Sequence, residues 1–427
     1  MNISIIGTGY VGLVTGAGLA EKGHNVVCVD VLSEKVGIIN SGKSPIYEKG
    51  LEEMLKKNIG RRLRATTDLP EAVVGSEATF ICVGTPSEKD GSLDLGFVEK
   101  ASEEIGKILA QKDSYHLVVV KSTVLPGTTE KKIAAIIEEH SGKKAGAGFG
   151  LATNPEFLRE GVAVEDFMRP DRIVIGSLDK RSEETMGKIY SGFESRLLMT
   201  DIRTAEMIKY ASNAFLAAKI SFINEVGNIC KKLDIDVYDV AKGMSMDHRI
   251  GPFFLNAGLG WGGSCFPKDL KALIHEADAL GYEPVLLNAI VAVNSGQPAR
   301  LIELAKSKAK SLKGTKVAVL GLAFKGGTDD VRDSPALKVI EALISEGANV
   351  TAYDPQAEAN AKKVLGDKIG YSASAKDALK DAEIAFIVTE WKEFENVDFS
   401  GMKNKIVLDA RNILKKRDGI DYEGLCW

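Results

Sequence analysis

A short apolar run, Ile3–Ile6, leads directly into Gly7-Thr8-Gly9-Tyr10-Val11-Gly12, and the next apolar run, Val26–Asp30, ends on an acid 18 residues beyond Gly12. Few folds accept that order. The glycines must turn the chain tightly from a buried strand into a helix, and the second strand must return beside the first. Gly7 permits the turn, Gly9 lets a pyrophosphate approach the backbone, and Gly12 lets the helix pack closely on the sheet. Tyr10 and Val11 open the helix, whose first amides and positive dipole end face the phosphates. Asp30 is placed to accept hydrogen bonds from a ribose diol, and its charge repels a 2′-phosphate, so the pattern implies NAD and not NADP. Glycine-rich turns are common, but the strand before this one, the helix after it and the spaced acid argue against an ordinary turn with a solvated Asp30.

Short β-branched runs alternate with helix-compatible stretches through the first part of the chain. Thr79–Val83, Leu117–Lys121, Gly150–Thr153 and Arg172–Gly176 read as further buried strands, with helices at Leu51–Lys57, Gly96–Lys112 and Thr128–His140. This alternation predicts a doubly wound α/β domain over residues 1–198. The texture changes at Arg203–Leu233, which reads as one long helix. A second helical stretch, Pro284–Lys310, is expected to break near Gly296–Pro298, and an irregular glycine-rich loop, Gly251–Asp269, lies between the two. Residues 199–310 therefore form a helical central domain suited to a dimer interface. At Lys316 the α/β pattern restarts, with strands at Asn349–Asp354, Ile384–Val388 and Ile406–Asp409 and a helix at Pro335–Glu346. Residues 311–427 thus repeat the strand–glycine–helix–strand–Asp plan. The fold class is α/β: two Rossmann-like doubly wound domains joined by a long-helix region, with ligands in the cleft between them.

Composition narrows the partners. With 44% hydrophobic and 27% charged residues the chain is that of a globular protein, and a net charge of −4 gives no reason to expect nucleic acid or an anionic membrane. The apolar N-terminus lacks a basic region before it and is interrupted by glycines, so it is read as strand and helix and not as a signal peptide. Five scattered cysteines, Cys28, Cys82, Cys230, Cys265 and Cys426, make no disulfide framework or metal-ligand pattern and suggest a reducing, cytoplasmic setting. Cys28 and Cys82 fit buried strands, Cys230 a helix, and Cys426 a frayed terminus.

Cys265 differs from the rest. It lies in Gly260-Trp261-Gly262-Gly263-Ser264-Cys265-Phe266-Pro267-Lys268-Asp269, where glycines free the backbone and a cation and an acid follow closely. Such a loop can stabilise a thiolate and admit a substrate. On the long helix, Lys209 and Asn213 are one turn apart on one face, in apolar surroundings that suit the stabilisation of an alkoxide. A lone helical lysine more often snorkels to water. Asn154-Pro155-Glu156-Phe157-Leu158-Arg159-Glu160-Gly161 brings two acids just past a strand end, either of which can act as a general base or simply be solvated. Val83-Gly84-Thr85-Pro86 and Lys121-Ser122-Thr123-Val124 follow two other strands at the ligand-facing edge.

Together with the order GTGYVG, VGTP, STVLPGT, NPEFLREG, EMIKYASNAFLAAK, FLNAGLGWGGSCFPKD and GLAFKGGTDDVRDSP, the chain resembles the UDP-glucose/GDP-mannose dehydrogenase family along nearly its whole length. That resemblance implies two successive NAD-dependent oxidations of a sugar C6 alcohol to the acid. It makes Cys265 the nucleophile that holds the intermediate as a thiohemiacetal and then a thioester. Lys209 would stabilise oxyanions with Asn213 beside it, Asp269 and Thr123 would position water, and Glu156 would assist hydrolysis. It implies cofactor contacts at Gly7, Gly9, Tyr10, Val11, Gly12, Asp30, Lys35, Thr85, Thr123, Glu160, Lys268 and Arg332. Sugar-nucleotide contacts are implied at Glu156, Phe157, Leu158, Arg159, Glu160, Lys209, Asn213 and Lys325, and along Phe254, Leu255, Asn256, Ala257, Gly258 and Gly262. Arg249 matches an arginine that some members reach from the neighbouring subunit of a dimer. The Asn213–Leu216 run and Phe266 favour UDP-glucose over GDP-mannose as substrate. Two alternatives stay open: GDP-mannose as the substrate, whose branch of the family shares GGSC-x-PKD and NPEFLRE and is also suggested by SGKKAG and EGLCW, and a non-catalytic sugar-nucleotide or NAD sensor on the same fold.

Overall fold

The computed structural model describes residues 1–427 apart from 310 and 416, and it divides into two units, Met1–Ser212 and Asn213–Trp427. The first unit is built on eight strands: β1 (Asn2–Ile6), β2 (Asn25–Val29), β3 (Leu63–Thr66), β4 (Ala78–Ile81), β5 (Leu117–Val120), β6 (Gly150–Thr153), β7 (Arg172–Ser177) and β8 (Arg196–Thr200). Their spatial order is β3-β2-β1-β4-β5-β6-β7-β8. The chain departs from β1 first to one side and then to the other. The carboxyl ends of β1 and β4 therefore flank the switch point at which such sheets bind ligands. β4 and β5 are buried along their whole length, which is why ATFI and LVVV show no alternation.

Two strands of the first unit escape the sequence pattern. β3 is short and interrupted by an exposed arginine, Arg64, and β8 is an edge strand with Leu197 and Leu198 exposed. β7 also departs from the parallel expectation, pairing antiparallel with β6 through Ala152–Ser177 and Thr153–Gly176. Between them the only helix is the short Ala163–Met168, so no crossover returns the chain to the start of the sheet.

In the second unit β9 (Lys316–Leu320), β10 (Asn349–Tyr353), β11 (Gly370–Tyr371), β12 (Ile384–Ile387), β13 (Ile406–Asp409) and β14 (Asp421–Gly424) are all parallel, in the order β11-β10-β9-β12-β13-β14. The same switch-point plan thus occurs twice. The long helix Ile202–Lys232 runs unbroken, as its composition predicts.

The expected break at Gly296–Pro298 is absent: one helix spans Val285–Lys308 with Pro298 inside it, while Lys310 lies outside the described residues. Tertiary bonds hold the turn that proline weakens. Asn294 accepts the Trp261 N–H (2.8 Å) and donates to the Trp261 carbonyl (2.9 Å), and Gln297 Nε2 donates to the Gly258 carbonyl (2.7 Å). Cys426 is not frayed either. It is fully buried, packed so closely on Gly227 that a Cβ there would lie 2.7 Å from its own. Among the described residues no helix is long and apolar enough to cross a membrane.

Candidate active site

The first glycine turn has the geometry a dinucleotide needs. Gly7 has φ +94°, and a side chain there would meet the Cys82 carbonyl at 2.9 Å. At Gly12 a Cβ would lie 1.9 Å from the Gly7 carbonyl oxygen, so the helix Tyr10–Glu21 can start there only without one. Gly9 is different, since a Cβ there would touch nothing in the protein within 4 Å. The open space over Gly9 suits a phosphate close to the backbone. Just past β2, Asp30 accepts the Thr8 amide (3.1 Å) and hydroxyl and the Leu32 amide (3.0 Å), with Lys35 Nζ 3.8 Å away. Burial pushes the Asp30 carboxyl up, but these donors outweigh it and hold the group below the usual range. An ionised acid at this position accepts from a diol and repels a phosphate.

At the ends of β4 and β5 the two short loops are tied together. Thr85 Oγ1 donates to the Thr123 carbonyl (3.0 Å), and Ser122 Oγ donates to the Val83 carbonyl (2.6 Å). Past β6, Glu156 is buried and not solvated. Its carboxylate accepts the Leu158 amide (2.5 Å) and Lys209 Nζ (2.7 Å), and Lys209 is buried as well. Lys209 therefore does not snorkel. Burial raises the Glu156 carboxyl, yet Lys209 and the Leu158 amide together hold it below its ordinary value. Phe157 lies against two cations, with Arg172 at 4.0 Å and Lys209 at 5.5 Å from the ring centre. Arg159 is turned to Asp166 (2.6 Å) on the surface.

In the second unit the cysteine loop is shorter than its glycines suggest. A helix, Phe266–Ala279, begins immediately after Cys265, with Pro267 in its first turn and Asp269 behind it. Proline followed by an acid is the composition of a helix start, and that signal was present in the sequence. Cys265 thus occupies the cap position, half-buried, where the dipole favours negative charge. Its sulfur lies 3.5 Å from Ser264 Oγ. Asp269 is buried and takes Asn213 Nδ2 (2.6 Å) and Lys268 Nζ (2.6 Å). The loop before it is closely set: a Cβ on Gly262 would meet the Asp333 carbonyl at 2.3 Å, and one on Gly263 the Phe324 ring at 2.7 Å.

Residues 1–194 match the NAD binding domain of the UDP-glucose/GDP-mannose dehydrogenase family, residues 203–296 its central domain and residues 318–416 its UDP binding domain. The chain belongs to that family. It is 50% identical to UDP-glucose 6-dehydrogenase AglM of Haloferax volcanii, with all of both chains covered. It is 39% identical, again over the whole of both chains, to GDP-mannose 6-dehydrogenase of Pseudomonas savastanoi pv. phaseolicola. Its fold is similar to a UDP-glucose dehydrogenase of Pyrobaculum islandicum, with TM-score 0.95, 44% identity and 100% and 97% of the two chains covered.

NAD is accordingly the cofactor of this dehydrogenase, and the acids that follow the second strand of each sheet differ in how far their oxygens are already taken. In the second, Asp354 stands where Asp30 stands in the first, but its oxygens are consumed. It accepts the Leu322 and Ala323 amides (2.7 and 3.0 Å), the Trp391 indole N–H (3.0 Å) and the Gln356 and Ala357 amides (2.9 and 2.8 Å). A buried acid with five donors has nothing to offer a ribose.

The other residues that the resemblance singles out lie on separate parts of each unit. Lys325 lies 5.6 Å from the Phe324 ring centre, and Arg332 forms a forked pair with Asp330 (2.7 Å). Leu255, Ala257 and Gly258 are buried, Asn256 is exposed, and Phe254 has φ +63°. Arg249 is exposed and paired with Asp247 (2.6 Å). Several organising residues carried no sequence signal, because each is a lone polar group whose partners are distant in the chain. Glu48 holds the Gly161 and Ala163 amides (both 2.8 Å), and Glu206 holds those of Gly127 and Thr129 (2.6 and 3.1 Å). Arg411 donates to the carbonyls of Gly260 (3.0 Å) and Phe324 (3.2 Å), and Asn224 accepts the Gly258 amide (2.8 Å).

Proposed function

We infer that the chain oxidises UDP-glucose at C6 to UDP-glucuronate with two molecules of NAD, through intermediates held on Cys265. The observation that carries this reading is the setting of that cysteine. Cys28, Cys82, Cys230 and Cys426 are buried, while Cys265 is half-buried at a helix start. NAD, when bound, accepts the two hydrides. The first oxidation converts the alcohol to an aldehyde with loss of a hydride and a proton. Cys265 thiolate adds to the aldehyde carbon, forming a thiohemiacetal whose oxyanion Lys209 Nζ stabilises with Asn213. Loss of the second hydride leaves a thioester. Water held by Asp269 and Thr123 attacks it, Glu156 takes the water's proton, and the C–S bond breaks to return the thiolate. Retaining the aldehyde on sulfur prevents its escape between the two oxidations.

The remaining assignments follow the same reading. Residues 1–198 bind NAD through Gly7–Gly12, Asp30, Lys35, Thr85 and Glu160, and residues 311–427 bind the nucleotide with Lys325. Residues 199–310 carry Cys265, the Phe254–Gly258 substrate backbone and the dimer face. Lys268 and Arg332 contact the cofactor. The absence of any disulfide among the described cysteines suits a reducing, cytoplasmic setting. Activity decides between this reading and its relatives. With a panel of UDP- and GDP-sugars, NADH formation is expected to be at least about tenfold faster with UDP-glucose than with GDP-mannose, with two NADH per acid and little activity with NADP. Faster turnover of GDP-mannose would reassign the substrate, no turnover of any sugar would favour a sensor, and equal use of NADP would remove Asp30 from the ribose.

The dimer rests on the long helix. Phe215, Phe222 and Ile229, spaced seven residues apart, are 67%, 52% and 55% exposed on one stripe. An apolar seam of that length on a surface helix fits a second copy of the chain across a two-fold axis. Phe222→Asp is expected to convert a dimer to a monomer in sedimentation velocity, and an unchanged mass would move the interface elsewhere.

A further inference from the structure

Lys121 leaves β5 at its ligand-facing end and turns inward, where it is 4% exposed. Its Nζ donates to Asn154 Oδ1 (2.8 Å) and to the Asn154 carbonyl (3.3 Å). Asn154 is also pinned by the Tyr190 hydroxyl, which donates to Oδ1 (2.5 Å), and by its own Nδ2, which donates to the Val174 carbonyl (2.8 Å). Two residues later comes Glu156 in its ion pair with Lys209. The buried ammonium of Lys121 thus hydrogen-bonds neutral oxygens, and the anion in its field is Glu156.

Every titratable group facing Lys121 has a defined state. Burial pushes the Cys82 thiol, at the exit of β4, up to about 12 and raises the Tyr190 phenol as well, so both are neutral. Lys209 is a like charge and Glu156 an opposite one. Burial brings Lys121 itself down to about 8. A cation in so buried a place is held by its bonds to the Asn154 carbonyl and side chain, and so ties the end of β5 to the segment that carries Glu156.

We propose that Lys121 is a positioning residue: its grip on Asn154 fixes the strand exit from which Glu156 reaches Lys209, and its charge adds to the positive field around that carboxylate. The inference rests on the reading of Glu156 as the hydrolytic base. Lys209 alone pairs with the carboxylate, and Lys121, bonded to Asn154 two residues earlier, adds a weaker positive field that persists while Lys209 turns toward an oxyanion.

The test is the pH profile of kcat for Lys121→Gln, which keeps a hydrogen bond to Asn154 and removes the charge. The acid limb should move up, the direction expected on losing a nearby opposite charge. Lys121→Arg should keep the acid limb of the wild type. An unmoved limb in Lys121→Gln, or a limb in Lys121→Arg displaced like that of the glutamine variant, would overturn the proposal. Thermal melting of Lys121→Met adds a measurement that needs no activity. Between about 8 and the unfolded lysine value near 10.5 the unfolded wild type binds more protons than the folded one, so wild-type stability rises with pH through that window. The wild type should therefore gain stability relative to the methionine variant between about pH 8 and pH 10; a melting difference that stays constant over that window would show that Lys121 is not a buried cation. Failure of the base reading is separate, since it shows as no acyl adduct in Glu156→Gln, whereas failure here leaves that adduct present and the limb of Lys121→Gln unmoved.

Discussion

Cys265→Ser is expected to end steady formation of the sugar acid, lowering kcat by about 10³-fold or more, the scale on which removal of a covalent nucleophile acts. A hydroxyl is a far weaker nucleophile than a thiolate at neutral pH, so neither the thiohemiacetal nor the thioester forms. The fold should not suffer. Cys265 caps the helix Phe266–Ala279 without a side-chain hydrogen bond to it, and serine is a favoured residue at that position. The melting temperature is therefore expected to equal or exceed that of the wild type while turnover is lost. Measurement of NADH per active site under saturating UDP-glucose, together with a melting curve, separates the chemical effect from misfolding. Acid production near the wild-type rate by a folded Cys265→Ser enzyme would remove covalent catalysis through this residue.

Glu156→Gln carries the second large effect, a loss of about 10²–10⁴-fold in thioester hydrolysis, as expected for removal of a general base. Hydride transfer should be less affected, so an initial burst of NADH is followed by a slow phase. Intact-mass measurement should show a sugar-nucleotide adduct on the protein that hydroxylamine removes. The buried pair with Lys209 adds a cost in stability, because glutamine leaves an ammonium in the interior without its counter-charge. Breaking such a pair typically costs about 3–5 kcal/mol, so the variant should also melt lower. The wild type has a matching pH signature: the folded Glu156 carboxyl lies below its ordinary value, so its contribution is present above the normal carboxylate range and is lost as pH falls through the folded value. A folded Glu156→Gln enzyme with impaired hydride transfer and no adduct would pass the base role to another group, water held by Asp269 being the next candidate.

Much of this protein is local and was therefore legible in its residues alone. Gly7, Gly12 and Asp30 announce a strand, a turn, a helix and a strand because backbone conformation and close approach are decided within a few residues. Cys265 stood out for the same reason, through the glycines before it and the Lys268–Asp269 pair after it. What remained hidden depends on groups that meet only when the chain folds. Lys209 found its carboxylate 53 residues away at Glu156, turning an apparently solvated acid and a snorkelling lysine into one buried pair. Pro298 lies inside a continuous helix because Asn294 and Gln297 are anchored to the Gly258–Trp261 loop. Asp354 repeats the pattern of Asp30 in sequence, yet five donors surround it in the fold, and Trp391, which supplies one of them, lies 37 residues further on. Local patterning selects the elements and the residue types that chemistry requires; burial and charge pairing belong to contacts between distant segments, and those decide which of two like-looking acids remains open to a ligand.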